Sequence, residues 1–187
     1  MAKMLSGPAW VQKFPTSTST DDLVDPFRSN VKKFLAALKK SGATVSISAT
    51  LRPKERVYLM YWSFQIAGGL DPEKAEAMAG VDIDWVHRDA QGKKDLAASK
   101  AAAGKMVAGY GIVYQPAKAS CHSGGTAIDM DIAWKSGTLT ISGGAGKNVT
   151  IAGTPKDGGN TGLQLVGRSY GVIKLVSDPP HWSSDGH

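Results

Sequence analysis

The sequence predicts an α+β protein with a small antiparallel sheet. Apolar residues recur at helical spacing in some stretches and alternate with polar ones in others. Two short alternating runs flank Gly143-Gly144-Ala145-Gly146-Lys147 and read as a hairpin, which favours antiparallel pairing.

In chain order, residues 1–20 read as an irregular arm whose Trp10 and Phe14 pack onto the domain. Asp25-Pro26 reads as N-cap and first position of a helix bearing Phe27, Val31, Phe34, Leu35 and Leu38. Gly42 ends it, and Thr44 to Thr50 alternates as a strand. Pro53 starts a helix to Ala67 that is apolar nearly all round, as a buried or groove-lining helix would be. Gly68-Gly69 closes it, and Asp71-Pro72 opens a short helix through Met78. Val81 to Asp95 is loop-rich, and His87 there, with no partner at metal spacing, is a loop histidine. Leu96 to Tyr110 is an Ala-rich helix stopped by Gly111, and Ile112-Val113-Tyr114 adds a short strand. Gly137 to Ser142 and Asn148 to Ala152 form the hairpin. Its loop is not a phosphate cradle, because G-x-x-x-x-G-K-[ST] would need Gly at Ile141 and Ser or Thr at Asn148. Asn160 to Tyr170 is helical, and Val172 to Val176 forms the last strand.

A chain of 187 residues is long enough for one domain, 1–187, with a substantial core. No repeat or linker marks a separate wall-binding domain. No run of about 18 apolar residues exists, so no membrane insertion is expected. The N-terminal stretch is basic but has no apolar h-region, so synthesis without a signal peptide is expected. The net charge of +6 suits an anionic partner such as cell wall, lipopolysaccharide or nucleic acid. The charges are scattered without interleaved aromatics, which argues against nucleic acid. Cys121 stands alone, which excludes an internal disulfide, and is expected to be a small buried hydrophobe.

The chemistry concentrates in Ser120-Cys121-His122-Ser123-Gly124-Gly125-Thr126-Ala127-Ile128-Asp129. From Ala127 to Trp134 the pattern is that of a strand, with Asp129 and Asp131 on one face and Ile128, Met130, Ile132 and Trp134 on the other. The glycines let the chain turn so that His122 faces the same point as Asp129. A hydrolytic zinc site usually takes three protein ligands plus water, so a third ligand and a base are needed. Asp178-Pro179-Pro180-His181-Trp182 offers both: His181 as ligand through a neutral ring nitrogen, and Asp178 as proton acceptor. Taken alone, that segment also fits a capped strand with a surface histidine.

The central stretch matches S-x-H-x-x-G-x-A-x-D through Ser120, His122, Gly125, Ala127 and Asp129. In this it resembles the LAS zinc peptidases, and within them the D-alanyl-D-alanine carboxypeptidase branch, which includes L-alanyl-D-glutamate endopeptidases of phage endolysins. The likeness runs from about Trp10 to Trp182. It implies a hedgehog/D-Ala-D-Ala peptidase-like fold, with helices packed on one side of the sheet that carries the site. It also implies one zinc ion on His122, Asp129 and His181, with Asp178 as catalytic base. Many members of the branch have Glu at the base position; Asp is more like the endolysin type. Arg52, directly after the first strand, would steady the oxyanion; a surface Arg paired with Glu55 is the other reading. Ser120 and Trp182 would contact substrate or shape the cleft.

The implied activity is zinc-dependent hydrolysis in the peptidoglycan stem peptide, with an L-Ala–D-Glu endopeptidase first in order. A D,D-carboxypeptidase or D,D-dipeptidase releasing D-Ala, and a non-catalytic zinc module of the hedgehog type, are the alternatives. The expected setting is a monomeric phage or prophage lysin acting on the cell wall.

Overall fold

The structure is a computed structural model describing residues 3–135 and 137–187. It is α+β, as the patterning predicts, with four α-helices among the described residues. Met1 and Ala2, the first residues of the expected irregular arm, lie outside the described residues. The contacts divide the chain into two compact units, each built from separated segments.

The first unit comprises residues up to Pro15 together with Pro53–Ser120. The arm is mostly turn and coil, within which β1 (Met4–Leu5) pairs in parallel with β3 (Ile83–Asp84) and Pro8–Trp10 forms a 3-10 turn. Trp10 is buried with Leu59, Trp62, Ile66, Val81, Ile83, Trp85, Ala103 and Met106. These residues lie mainly on α2 (Lys54–Ala67) and α3 (Leu96–Tyr110), whose bounds follow the sequence signals. Asp95 caps α3 by accepting from the Ala98 amide at 2.8 Å, and Gly111 ends it at φ 66°, a left-handed conformation that favours glycine. His87 is indeed in a loop, where its Nε2 lies 3.0 Å from the Ser6 hydroxyl.

Two expectations fail in this unit. The helix from Asp71 stops after the 3-10 turn Pro72–Lys74, because Met78 and Val81 bridge across a turn that draws the chain out of helical geometry. Ile112-Val113-Tyr114 forms no strand; Val113 and Tyr114 are exposed, and no strand pairs with them among the described residues.

The second unit comprises Thr16–Arg52 and Cys121–His187. Its centre is an antiparallel sheet in the order β2 (Thr44–Ala49), β4 (Ala127–Ala133), β8 (His181–Ser183), β7 (Ile173–Lys174). Ile128, Met130, Ile132 and Trp182 are buried in one core with α1 (Phe27–Lys40) and α4 (Thr161–Ser169). Phe27, Val31, Phe34 and Leu38 form the inward stripe of α1, and each fully buried side chain of this kind contributes roughly 1.5–3 kcal/mol. Asp25 accepts from the Ser29 amide and hydroxyl at 3.2 and 2.6 Å, while Pro26, rather than Asp25, occupies the position flanking the helix. The predicted hairpin is present as β5 (Leu139–Ser142) and β6 (Asn148–Ile151).

The last strand differs from expectation. Instead of one run from Val172 to Val176, the chain forms β7, turns, and returns as β8 between β7 and β4. Asp178 and the two prolines occupy that turn, so His181 opens a central strand rather than extending past a strand end.

Candidate metal centre

Asp129 lies in the middle of the sheet. It stands opposite Ala49 of β2 on one side and His181 of β8 on the other. Directly opposed residues of antiparallel strands project on the same face, so this register alone brings the carboxylate and the imidazole together. The face carrying Ile128, Met130, Ile132 and Trp182 is packed with apolar side chains. The opposite face is left for the polar groups.

His122 arrives from the loop before β4. That loop closes through Gly125 N to His122 O at 3.2 Å and Thr126 N to Cys121 O at 2.9 Å. Gly125 sits at φ 68°, and a Cβ there would meet Val24 Cγ1 at 3.1 Å and Val24 N at 3.3 Å, so the turn favours glycine twice over. The end of β2 supplies the other clamp: the Arg52 amide donates to His122 O at 3.1 Å.

His122 Nε2, Asp129 Oδ1 and His181 Nδ1 stand 3.1, 3.0 and 3.2 Å apart, a triangle of three ligand-type atoms. Both histidines are buried and Asp129 is half-buried. The outer ring nitrogens settle what the inner ones do. His122 Nδ1 donates to Thr50 O at 2.6 Å, and His181 Nε2 donates to the His187 main-chain oxygen at 3.1 Å. With a proton on each outer nitrogen, both inner nitrogens present lone pairs to the carboxylate. Three electron-rich atoms this close need a cation between them. A tetrahedral ion with bonds of about 2.0–2.1 Å has edges of roughly 3.3 Å, so the residues present fit a divalent metal. Carbonyl oxygens holding the outer nitrogens are the usual partners of metal-binding histidines.

Without a metal, a proton on His181 Nδ1 serves the same purpose. Burial lowers the pKa of His181, but the hydrogen bond to Asp129, the His187 oxygen and the charges of Asp129 and Asp178 outweigh it and raise the net value. Burial pushes Asp129 up, yet its bonds to His122 and His181 hold it well below the usual carboxylate range.

The other anticipated residues are placed unevenly. Asp178 is exposed in the turn, outside the triangle; its main-chain oxygen accepts from the His181 amide at 3.1 Å, and its charge reaches His181. Arg52 is half-buried at the end of β2, and its guanidinium has no hydrogen bond or ion pair among the described residues, so the pairing with Glu55 is not formed. Ser120 is grouped with the first unit and is half-buried.

Trp182 does not shape a cleft. It is fully buried against Phe34, ring centroids 5.7 Å apart, because alternation along β8 turns it away from the face of His181. Cys121 also departs from expectation: it is half-exposed, with Sγ 3.6 Å from Asp185 Oδ1.

Sequence reasoning missed the Thr50 and His187 oxygens, which carry no side-chain signal. It also passed over Lys174, whose position inside the apolar run Val172 to Val176 was a usable one.

No protein-family model, curated protein or solved structure matches the chain. No helix among the described residues is long and apolar enough to cross a membrane.

Proposed function

We infer that this chain is a zinc-dependent peptidase that cleaves within the stem peptide of peptidoglycan, at the L-Ala–D-Glu bond. The observation that supports this most is the triangle of His122, Asp129 and His181, with the outer nitrogen of each imidazole anchored on a main-chain oxygen. The motif built on Ser120, His122, Gly125, Ala127 and Asp129 narrows the reading to peptidases, and the net charge of +6 favours approach to an anionic wall.

His122, Asp129 and His181 would hold the ion, which when bound polarises a carbonyl and lowers the pKa of water. The Asp178 carboxylate accepts the proton of the attacking water and returns it to the nitrogen of the leaving amine. Its exposure in the turn leaves it open to both. The Arg52 guanidinium, with no partner among the described residues, offers its donors to the charge that develops on the carbonyl oxygen of the scissile bond.

Digestion of purified peptidoglycan with zinc-loaded protein, with and without chelator, followed by mass mapping of new ends, tests the reading. A chelator-sensitive new N-terminal D-Glu is expected. Free D-Ala instead would select the carboxypeptidase or dipeptidase. No product from protein carrying one zinc would leave a non-catalytic metal module.

A further inference from the structure

Lys174 is a lysine in an unusual place. It lies in β7, in register with Trp182 of β8, and only 8% of its surface is exposed. Burying an ammonium is costly unless its donors are satisfied. All three are. Nζ donates to the main-chain oxygens of Leu175 and Asp178, each at 2.5 Å, and of His181 at 3.1 Å.

These three oxygens belong to one turn, the one that carries Asp178 and delivers His181 to the sheet. The turn has its own backbone bonds: Leu175 N to His181 O at 3.1 Å, Asp178 N to Leu175 O at 3.2 Å, and His181 N to Asp178 O at 3.1 Å. Every acceptor in that set is also an acceptor for Lys174. The ammonium therefore sits at the hub of the turn, where it gathers carbonyls that would otherwise repel one another. The ring of Trp182, 5.7 Å from Nζ, adds a π face to the same charge. Burial lowers the pKa of Lys174, and the charges of Asp178 and Asp129 oppose that shift without reversing it.

We propose that Lys174 is a positioning residue of the metal centre: by binding three carbonyls of the 175–181 turn, it fixes the placement of the His181 ring and of the Asp178 carboxylate. The proposal rests on the peptidase reading for its purpose, but its geometry does not depend on that reading. Lys174 touches neither substrate nor ligand atoms and acts only through the backbone.

The test compares the wild-type chain with Lys174→Met, which keeps an unbranched side chain one atom shorter and removes its donors and charge. In metal-free protein, amide exchange at Leu175, Asp178 and His181 should quicken on the order of 10-fold, while the β2–β4 pair Val45 and Ile132 stays protected. Zinc affinity, measured by competition with a chromophoric chelator, should fall roughly 10–100-fold. Unchanged turn exchange together with zinc affinity within about twofold of wild type would overturn the proposal. Exchange that quickens equally throughout the unit would show a merely structural role and overturn it too. Should Lys174→Met not fold, Lys174→Gln, which is uncharged, one atom shorter and has too few donors for all three carbonyls, is read by the same two measurements, with the same expected and overturning results. A wild-type chain that binds no zinc would remove the metal reading alone, since the exchange measurement still decides the role of Lys174.

Discussion

His122 and His181 meet edge to face, ring centroids 5.0 Å apart and planes at 75°, with Nε2 of the first 3.2 Å from Nδ1 of the second. Each ring spends its N–H on a main-chain oxygen, so among the described residues these two nitrogens face only each other and the Asp129 carboxylate. This arrangement is the source of most of what can be measured.

His122→Ala or His181→Ala should reduce one-to-one zinc binding below detection in a calorimetric titration, because two ligands do not close a tetrahedral site. Thr50 contributes only a carbonyl, so Thr50→Val should leave zinc binding intact. Zinc retained at full stoichiometry by either alanine variant would rule out the triangle as the centre.

Asp178→Ala should keep the metal and lose turnover by about 10²–10⁴-fold, the usual range for a general base. Peptidoglycan digestion and zinc content, read on the same preparation, check the two halves. A fully active variant would remove Asp178 from the mechanism.

The pH dependence has opposite signs with and without metal. In metal-free protein His181 is raised, so its stabilisation is complete below the ordinary histidine value of about 6.5 and is lost as pH rises through the folded value. Asp129 is lowered, so its contribution is present above about 3.9 and is lost as pH falls further. The pair should therefore make metal-free stability greatest between about pH 4 and 6.5. Zinc must displace the proton on His181, so its affinity should fall with acidification from the raised His181 value downward, approaching tenfold per pH unit. Thermal melts from pH 4 to 8, with zinc and with chelator, read both slopes. Parallel curves would show that zinc and the proton do not compete.

Gly167 tests the packing beneath the site. A Cβ there would meet Trp182 Cζ3 at 2.6 Å and Val172 O at 2.8 Å, so α4 must move off the tryptophan that backs β8. Gly167→Ala should cost about 1–3 kcal/mol, roughly 2–12 °C in melting temperature for a chain of this size. Gly104→Ala, in α3 with nothing within 4 Å, should instead be neutral or stabilising by up to about 1 kcal/mol. Equal melting temperatures for the two variants would contradict the close approach.

The sequence by itself determined the local part of this protein. Alternation across β4 divides Asp129 from Ile128, Met130 and Ile132. Spacing in α1 selects Phe27, Val31, Phe34 and Leu38, and Asp95 and Gly111 bound α3. Each follows from neighbours a few residues away, where backbone geometry repeats with a fixed period. Tertiary structure decided what depends on distant partners. Only the register that sets Asp129 against His181 brings a ligand 52 residues away onto the same face, and only the return of the chain through β8 buries Trp182 and places Lys174 under the turn. The physical reason is that strand pairing joins segments across long loops, and a shift of one residue would exchange the faces of His181 and Trp182 without altering the pattern along either strand.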